Sequence, residues 1–107
     1  MIYIESNLTE FVVFFYEKGN PTPVKYKKIL AKDVKDVLRR TSALFFRNTK
    51  PEFEDKIIKL KQLGVSEVVV TDSTMGRILY KKPIEVFLKD YCIPGVLELW
   101  NDTNSLN

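Results

Sequence analysis

From Glu10 to Glu17 the chain reads Glu-Phe-Val-Val-Phe-Phe-Tyr-Glu, an unbroken apolar run between two carboxylates. Its β-branched and aromatic content predicts a strand. Successive side chains of a strand point to opposite faces, so Phe11, Val13 and Phe15 form one apolar face and Val12, Phe14 and Tyr16 another. A strand without a polar face belongs in the middle of a sheet, or beneath a second copy of the chain in a homodimer formed through residues 10–17. The same run is far too short to cross a bilayer, and no basic segment leads into an apolar core near Met1. The expectation is a soluble cytoplasmic protein without a membrane partner. The Asn-x-Thr triplets at Asn7 and Asn101 are then coincidental.

With 107 residues, 45% of them apolar and 29% charged, the chain has the size and composition of one globular domain. A single cysteine, Cys92, and no histidine exclude an intrachain disulfide, a Cys/His zinc site, a Ser-His-Asp triad and an imidazole base. No cofactor-binding motif is present either, and the four glycines stand singly where turns or helix ends need them. A composition rich in Ile, Val, Tyr, Glu and Leu, with Gln62 the only glutamine, points to a thermophilic source or to an AT-rich genome.

No segment repeats, and residues 1–100 read as one unit followed by a frayed tail over residues 101–107. A first strand is expected from Ile2 to Glu5, ahead of the strong one at Glu10 to Glu17. Beyond the turn Gly19-Asn20-Pro21-Thr22-Pro23, the alternation Val24, Lys25, Tyr26, Lys27 predicts a half-exposed strand completing a hairpin. Leu30, Val34, Val37, Leu38 and Thr41 then share one face of an amphipathic helix, with Lys32, Lys35, Asp36 and Arg39 on the other. Ala43 to Arg47 reads as a buried strand. A helix follows, starting at Thr49 and Pro51, with Phe53, Ile57 and Leu60 inward and its end at Gly64. Ser66 to Thr71, with three consecutive valines, is the clearest strand after the first. With Ala43 to Arg47 and the intervening helix it forms a βαβ unit with two parallel strands. Arg77 to Lys82 pairs back as a hairpin. Pro83 opens a helix through Tyr91, although Ile84, Val86 and Leu88 also fit a strand, and Val96 to Trp100 forms a last short strand. The fold class predicted is therefore α/β (α+β): one compact domain with a mixed sheet, one βαβ unit and two or three helices, ferredoxin-like or thioredoxin-like in arrangement.

Charge is segregated along this chain. Residues 1–24 carry −2, residues 25–50 carry +7, residues 51–82 carry +1 and residues 83–107 carry −3. The basic block predicts a small non-enzymatic nucleic-acid-binding accessory protein, for RNA or DNA. Lys25, Lys27, Lys28, Lys32, Lys35, Arg39 and Arg40 would contact phosphates, and Tyr26 would stack on an unpaired base. Arg47 and Lys50 complete the block, and Phe45 and Phe46 among them are core residues. The bland alternative is that these charges form the solvated face of a helix. A second alternative is an interaction or homo-oligomerising module, in which the basic block meets an acidic partner or the Glu85, Asp90, Glu98 and Asp102 surface of another copy. A third is a phosphate-handling enzyme using the loop Asp72-Ser73-Thr74, which also has the composition of an ordinary hairpin turn. Asp33-x-Lys35 and Glu54-Asp55-Lys56 carry the acid-x-lysine spacing of metal nucleases, but capping of helix starts accounts for these acids. No metal or catalytic residue is assigned. Cys92 and Trp100 are read as packing residues.

Overall fold

The computed structural model describes residues 8–46, 52–74 and 76–102, with residues 52–54 described by their backbone. The elements in chain order are β1 (Thr9–Glu17), β2 (Lys25–Ala31), α1 (Val34–Phe46), α2 (Glu52–Gln62), β3 (Val65–Asp72), β4 (Ile78–Pro83), α3 (Ile84–Tyr91) and α4 (Val96–Asp102). They form a single α+β domain, as the composition and patterning predict. Its one sheet has the strand order β2-β1-β3-β4, and every pairing is antiparallel. The doubly apolar β1 lies inside the sheet, between β2 and β3. Among the described residues no helix is long and apolar enough to cross a membrane.

The same topological unit, a hairpin followed by two helices, occurs twice, with the central β1–β3 pair joining the two halves. No sequence repeat accompanies it. The four described helices lie on one side of the sheet, α1, α2 and α3 against its strands and α4 against α2 and α3. The core joins Phe11, Val13, Phe15, Ile29, Ala31, Val68 and Val70 of that face to Leu38, Phe46, Ile57, Ile84, Phe87 and Trp100 of the helices. Aromatic edges fill its centre: Phe15 meets Phe45 at 5.0 Å between ring centroids, and Phe46 meets Phe87 at 5.8 Å and Trp100 at 6.5 Å.

The sheet is antiparallel rather than mixed, four helices are described instead of the expected two or three, Asn101 and Asp102 end α4 instead of opening the tail, and three readings of single segments are corrected. The strand at Ala43 to Arg47 does not form, because residues 43–46 are the last turn of α1. No breaker separates Arg39 from Phe46, and a short apolar run fits a buried helical turn as well as a strand. The βαβ unit and its parallel pair disappear with that strand, and neither the ferredoxin-like nor the thioredoxin-like arrangement is the one adopted. Val96 to Trp100 is helical too: one turn apart, Val96 and Trp100 are both buried while Glu98 stays outside, which a strand would forbid. Leu30 belongs to β2 and is 54% exposed, not on the inner face of a helix. Asp33 sets the start of α1, its Oδ1 accepting the Asp36 N–H at 2.8 Å, while Asp36 Oδ2 accepts the Lys32 N–H at 3.0 Å. The expected strand Ile2 to Glu5, the helix start at Thr49 and Pro51, Arg47, Lys50 and residues 103–107 lie outside the described residues.

Two positions give stability predictions. Gly64 closes α2 at φ 77°, and a Cβ there would stand 2.9 Å from Glu17 Oε2 and 3.2 Å from Glu17 Cγ. Gly64→Ala is expected to cost about 1–2 kcal/mol through left-handed backbone strain, plus displacement of Glu17. Gly19, at φ 78° with open space around it, supplies the control for strain alone. Urea midpoints that fall equally for the two alanine variants would show that the Glu17 contact is immaterial.

The second position is Tyr80, which faces the helices opposite Val70 and places its ring 6.3 Å from that of Tyr91. Its buried hydroxyl has no hydrogen-bond partner among the described residues. Tyr80→Phe is expected to stabilise the domain by about 1 kcal/mol by removing an unsatisfied polar group. Burial, reinforced by Tyr91 and Asp90, pushes the phenol pKa up to about 12. The folded state therefore holds this proton more tightly than the unfolded chain does. Stability should fall as pH rises from about 10 towards 12, and Tyr80→Phe should abolish this component in alkaline urea titrations.

Candidate nucleic-acid interface

Because the described helices occupy one face, no described element forms a layer over the other face of the sheet. Its rows follow from the register: Lys28, Val12, Thr71 and Ile78 form one, Tyr26, Phe14, Val69 and Lys81 the next, and Tyr16, Glu67 and Pro83 a third. Three aromatic rings turn a corner on this face, Tyr16 and Phe14 following β1 and Phe14 and Tyr26 crossing to β2. Tyr16 and Phe14 are 6.1 Å apart between centroids and Phe14 and Tyr26 are 6.2 Å apart, with interplanar angles of 38° and 33°. Tyr26 is 62% exposed at the edge of the sheet, whereas Phe14 and Tyr16 are half-buried. Val69 is buried, yet it belongs to this face and not to the helix-side core.

The predicted basic residues are divided by the fold. Lys25, Tyr26, Lys27 and Lys28 all lie on the edge strand β2 and are exposed. Lys28 and Tyr26 share the open face with Val12 and Phe14, whereas Lys25 and Lys27 take the helix-side register opposite Phe15 and Val13. The Lys25 ammonium sits 5.5 Å from the centroid of the Phe45 ring. Lys32 is exposed just beyond the strand. Lys35, Arg39 and Arg40 lie on α1, on the opposite side of the sheet from the aromatic row, and Arg40 Nε pairs with Asp36 Oδ2 at 3.1 Å. The Asp36 carboxyl is held below its ordinary pKa, chiefly by the Lys32 N–H and also by Arg40, against some opposing burial. Lys25, Lys27, Lys28 and Lys32 stand on and just beyond β2 with no acid among residues 25–32, so the β2 rim is positive. On the open face itself, Lys28 and Lys81 are balanced by Glu10 and Glu67.

Where the row ends at Tyr16, the face deepens into an open concavity of about 980 Å³, lined by Tyr16, Ser66, Glu67, Val69, Lys81 and Pro83 among others. A bulge shapes this corner. Tyr16 faces Glu67 and Glu17 faces Val65, so Ser66 is the extra residue, and its hydroxyl donates to the Tyr16 carbonyl at 3.3 Å. The hairpin turn beside it is held by Asn20, whose Oδ1 accepts the Thr22 N–H at 3.0 Å.

Asp72, Ser73 and Thr74 lie at the opposite end of β3 from this concavity. Asp72 closes the hairpin: Oδ1 accepts the Arg77 N–H at 3.3 Å and Oδ2 stands 3.6 Å from Arg77 Nε. Among the described residues, no group of three or more acids or cysteines is placed to hold a metal ion. Cys92 is half-buried and accepts a hydrogen bond from the Ser42 hydroxyl at 3.3 Å, and burial raises its thiol pKa.

Phe14, Tyr16, Glu67, Val69 and Lys81 were not assigned to a site from the sequence. The second apolar face of β1 was the available signal, and it becomes informative only once all helices are known to share the other side. No protein-family model matches the chain, and neither a curated protein nor a solved structure is significantly similar to it.

Proposed function

We propose that this protein is a non-enzymatic accessory factor of the cytoplasm that binds single-stranded nucleic acid across its open sheet face. The observation that carries the reading is the aromatic row Tyr16, Phe14, Tyr26, which leads from the concavity to the basic edge strand. A single strand presents flat, uncharged bases on one side and phosphates on the other. The near-neutral aromatic face suits the bases, and the β2 rim at Lys25, Lys27, Lys28 and Lys32 suits the phosphates. Duplex DNA has its bases already stacked and offers this face nothing to stack upon.

Anisotropy titrations of labelled single-stranded RNA, single-stranded DNA and duplex DNA at about 50 and about 200 mM salt test the reading. Binding to single strands is expected to exceed binding to duplex and to weaken steeply with salt. Replacing Lys25, Lys27 and Lys28 by Gln should reduce the log–log salt slope by about 2, since each phosphate neutralised on a single strand contributes about 0.7. An absence of binding at the lower salt refutes the reading.

A second reading has one observation in its favour. Leu30 and Ile78, 54% and 58% exposed, stand on β2 and β4 at the two edges of the sheet, and the balanced charge between them would also suit a second copy of the chain. Sedimentation would then give a dimer at micromolar concentration that Ile78→Glu dissociates.

A further inference from the structure

We infer that the concavity at the end of the aromatic row is a guanine pocket, an inference that rests on the nucleic-acid reading above. Its lining includes the apolar Val69, Ile78 and Pro83 together with the aromatic Tyr16, the kinds of surface a stacked base requires. Of the four charged residues in its lining, Glu17, Lys18, Glu67 and Lys81, the last two stand on adjacent strands of the open face and have complementary hydrogen-bonding character. Glu67 pairs with Pro83 and Lys81 with Val69, so the two are diagonal neighbours on one face. Neither is in an ion pair with any described residue. The remaining rim acid, Glu17, is engaged: its Oε1 accepts from Asn20 Nδ2 at 3.5 Å, and its Oε2 lies against Gly64.

An ionised carboxylate only accepts and an ammonium only donates, so the pair selects a base edge carrying adjacent donors beside an acceptor. Guanine is the base that has this order: N1–H and the N2 amine for Glu67, and O6 for Lys81. Adenine and cytosine offer the carboxylate one exocyclic amine, so a bidentate approach sets a ring-nitrogen lone pair against its second oxygen and only a single hydrogen bond to Glu67 remains. Uracil offers one N–H between two carbonyls, one of which would face Glu67. Selectivity arises because the wrong base leaves a desolvated charge without its partner.

The test uses labelled octauridylates with a single central G, A, C or inosine, titrated by anisotropy at about 50 mM salt. One guanine per strand keeps the probe from forming quadruplexes. The guanine probe is expected to bind about tenfold more tightly than the adenine and cytosine probes. Inosine, which lacks only the N2 amine, should lose most of that advantage without any change to the protein. Glu67→Gln, with its fold verified by circular dichroism, should shrink the guanine preference to within about twofold, since the amide replaces one acceptor by a donor. If all four probes bind within twofold of one another and Tyr26→Ala still weakens them, the guanine pocket is refuted while the interface stands. If none binds, both fall together.

Discussion

Replacing Tyr26 by alanine is expected to weaken binding of a single-stranded octanucleotide about tenfold, and adding Phe14→Leu should bring the loss to about 100-fold. Each stacked base contributes about 1–3 kcal/mol by such substitutions. The two positions differ in what else they support. Tyr26 is largely exposed on an edge strand, so its loss should leave the denaturation midpoint nearly unchanged. Phe14 is half-buried in the central strand, and leucine preserves its apolar bulk while removing the ring that a base would stack upon. The double variant must therefore be compared at matched fold, by circular dichroism and urea midpoint. Affinity within threefold of the parent in a folded double variant would mean that the bases do not lie on this row. The open face would then be left to the second copy of the chain.

Trp100→Ala should produce the largest loss of stability, about 3–5 kcal/mol, because it removes a nearly inaccessible indole from the centre of the core. The ring packs edge-on to Phe46 at 6.5 Å and lies 4.8 Å beneath the Lys61 ammonium. Helix α4 has only seven residues, too few to persist without tertiary support. Val96 and Trp100 are its buried residues, so truncating Trp100 removes half of its anchorage. A domain of this size has about 5–15 kcal/mol of stability in total, so the variant should melt roughly 15–30 °C lower. Trp100→Phe, which keeps an aromatic edge toward Phe46, should lose less than half as much. A loss below about 1.5 kcal/mol for the alanine variant, read from two-state urea curves, would show that α4 is not integral to the core.

Residues whose local pattern had one solution were legible in the sequence. The run Phe11 to Tyr16 reads as a strand, either central or covered by a second copy, and it lies inside the sheet. The valine run ending at Thr71, the turn before Arg77, the inner stripe Ile57 and Leu60, and the helix closing at Gly64 are all found. Of the segments whose pattern fitted two periods, the one opened by Pro83 was legible as a helix and two others were not. Ala43 to Phe46 and Val96 to Trp100 are short apolar stretches that satisfy a strand locally, and tertiary packing made both helical, α1 against the sheet and α4 against α2 and α3. The candidate site divides in the same way. Tyr26 and the lysines beside it stand out as exposed residues of a half-polar strand, whereas Phe14, Tyr16, Glu67 and Lys81 come from three strands that only the register β2-β1-β3-β4 brings onto one face.

By itself the sequence determined the element types with strong periodicity, the absence of histidine and disulfide chemistry, and the concentration of positive charge in residues 25–50. These are properties of composition and of neighbours a few residues apart, and they do not depend on where the chain goes next. Tertiary structure decided which of the two apolar faces of β1 became core. The four described helices, of 13, 11, 8 and 7 residues, all lie on the Phe11, Val13 and Phe15 side, so among the described residues the Phe14 and Tyr16 side is left as surface. That choice depends on the helix surface available to cover a sheet, a sum over distant segments that no local pattern contains.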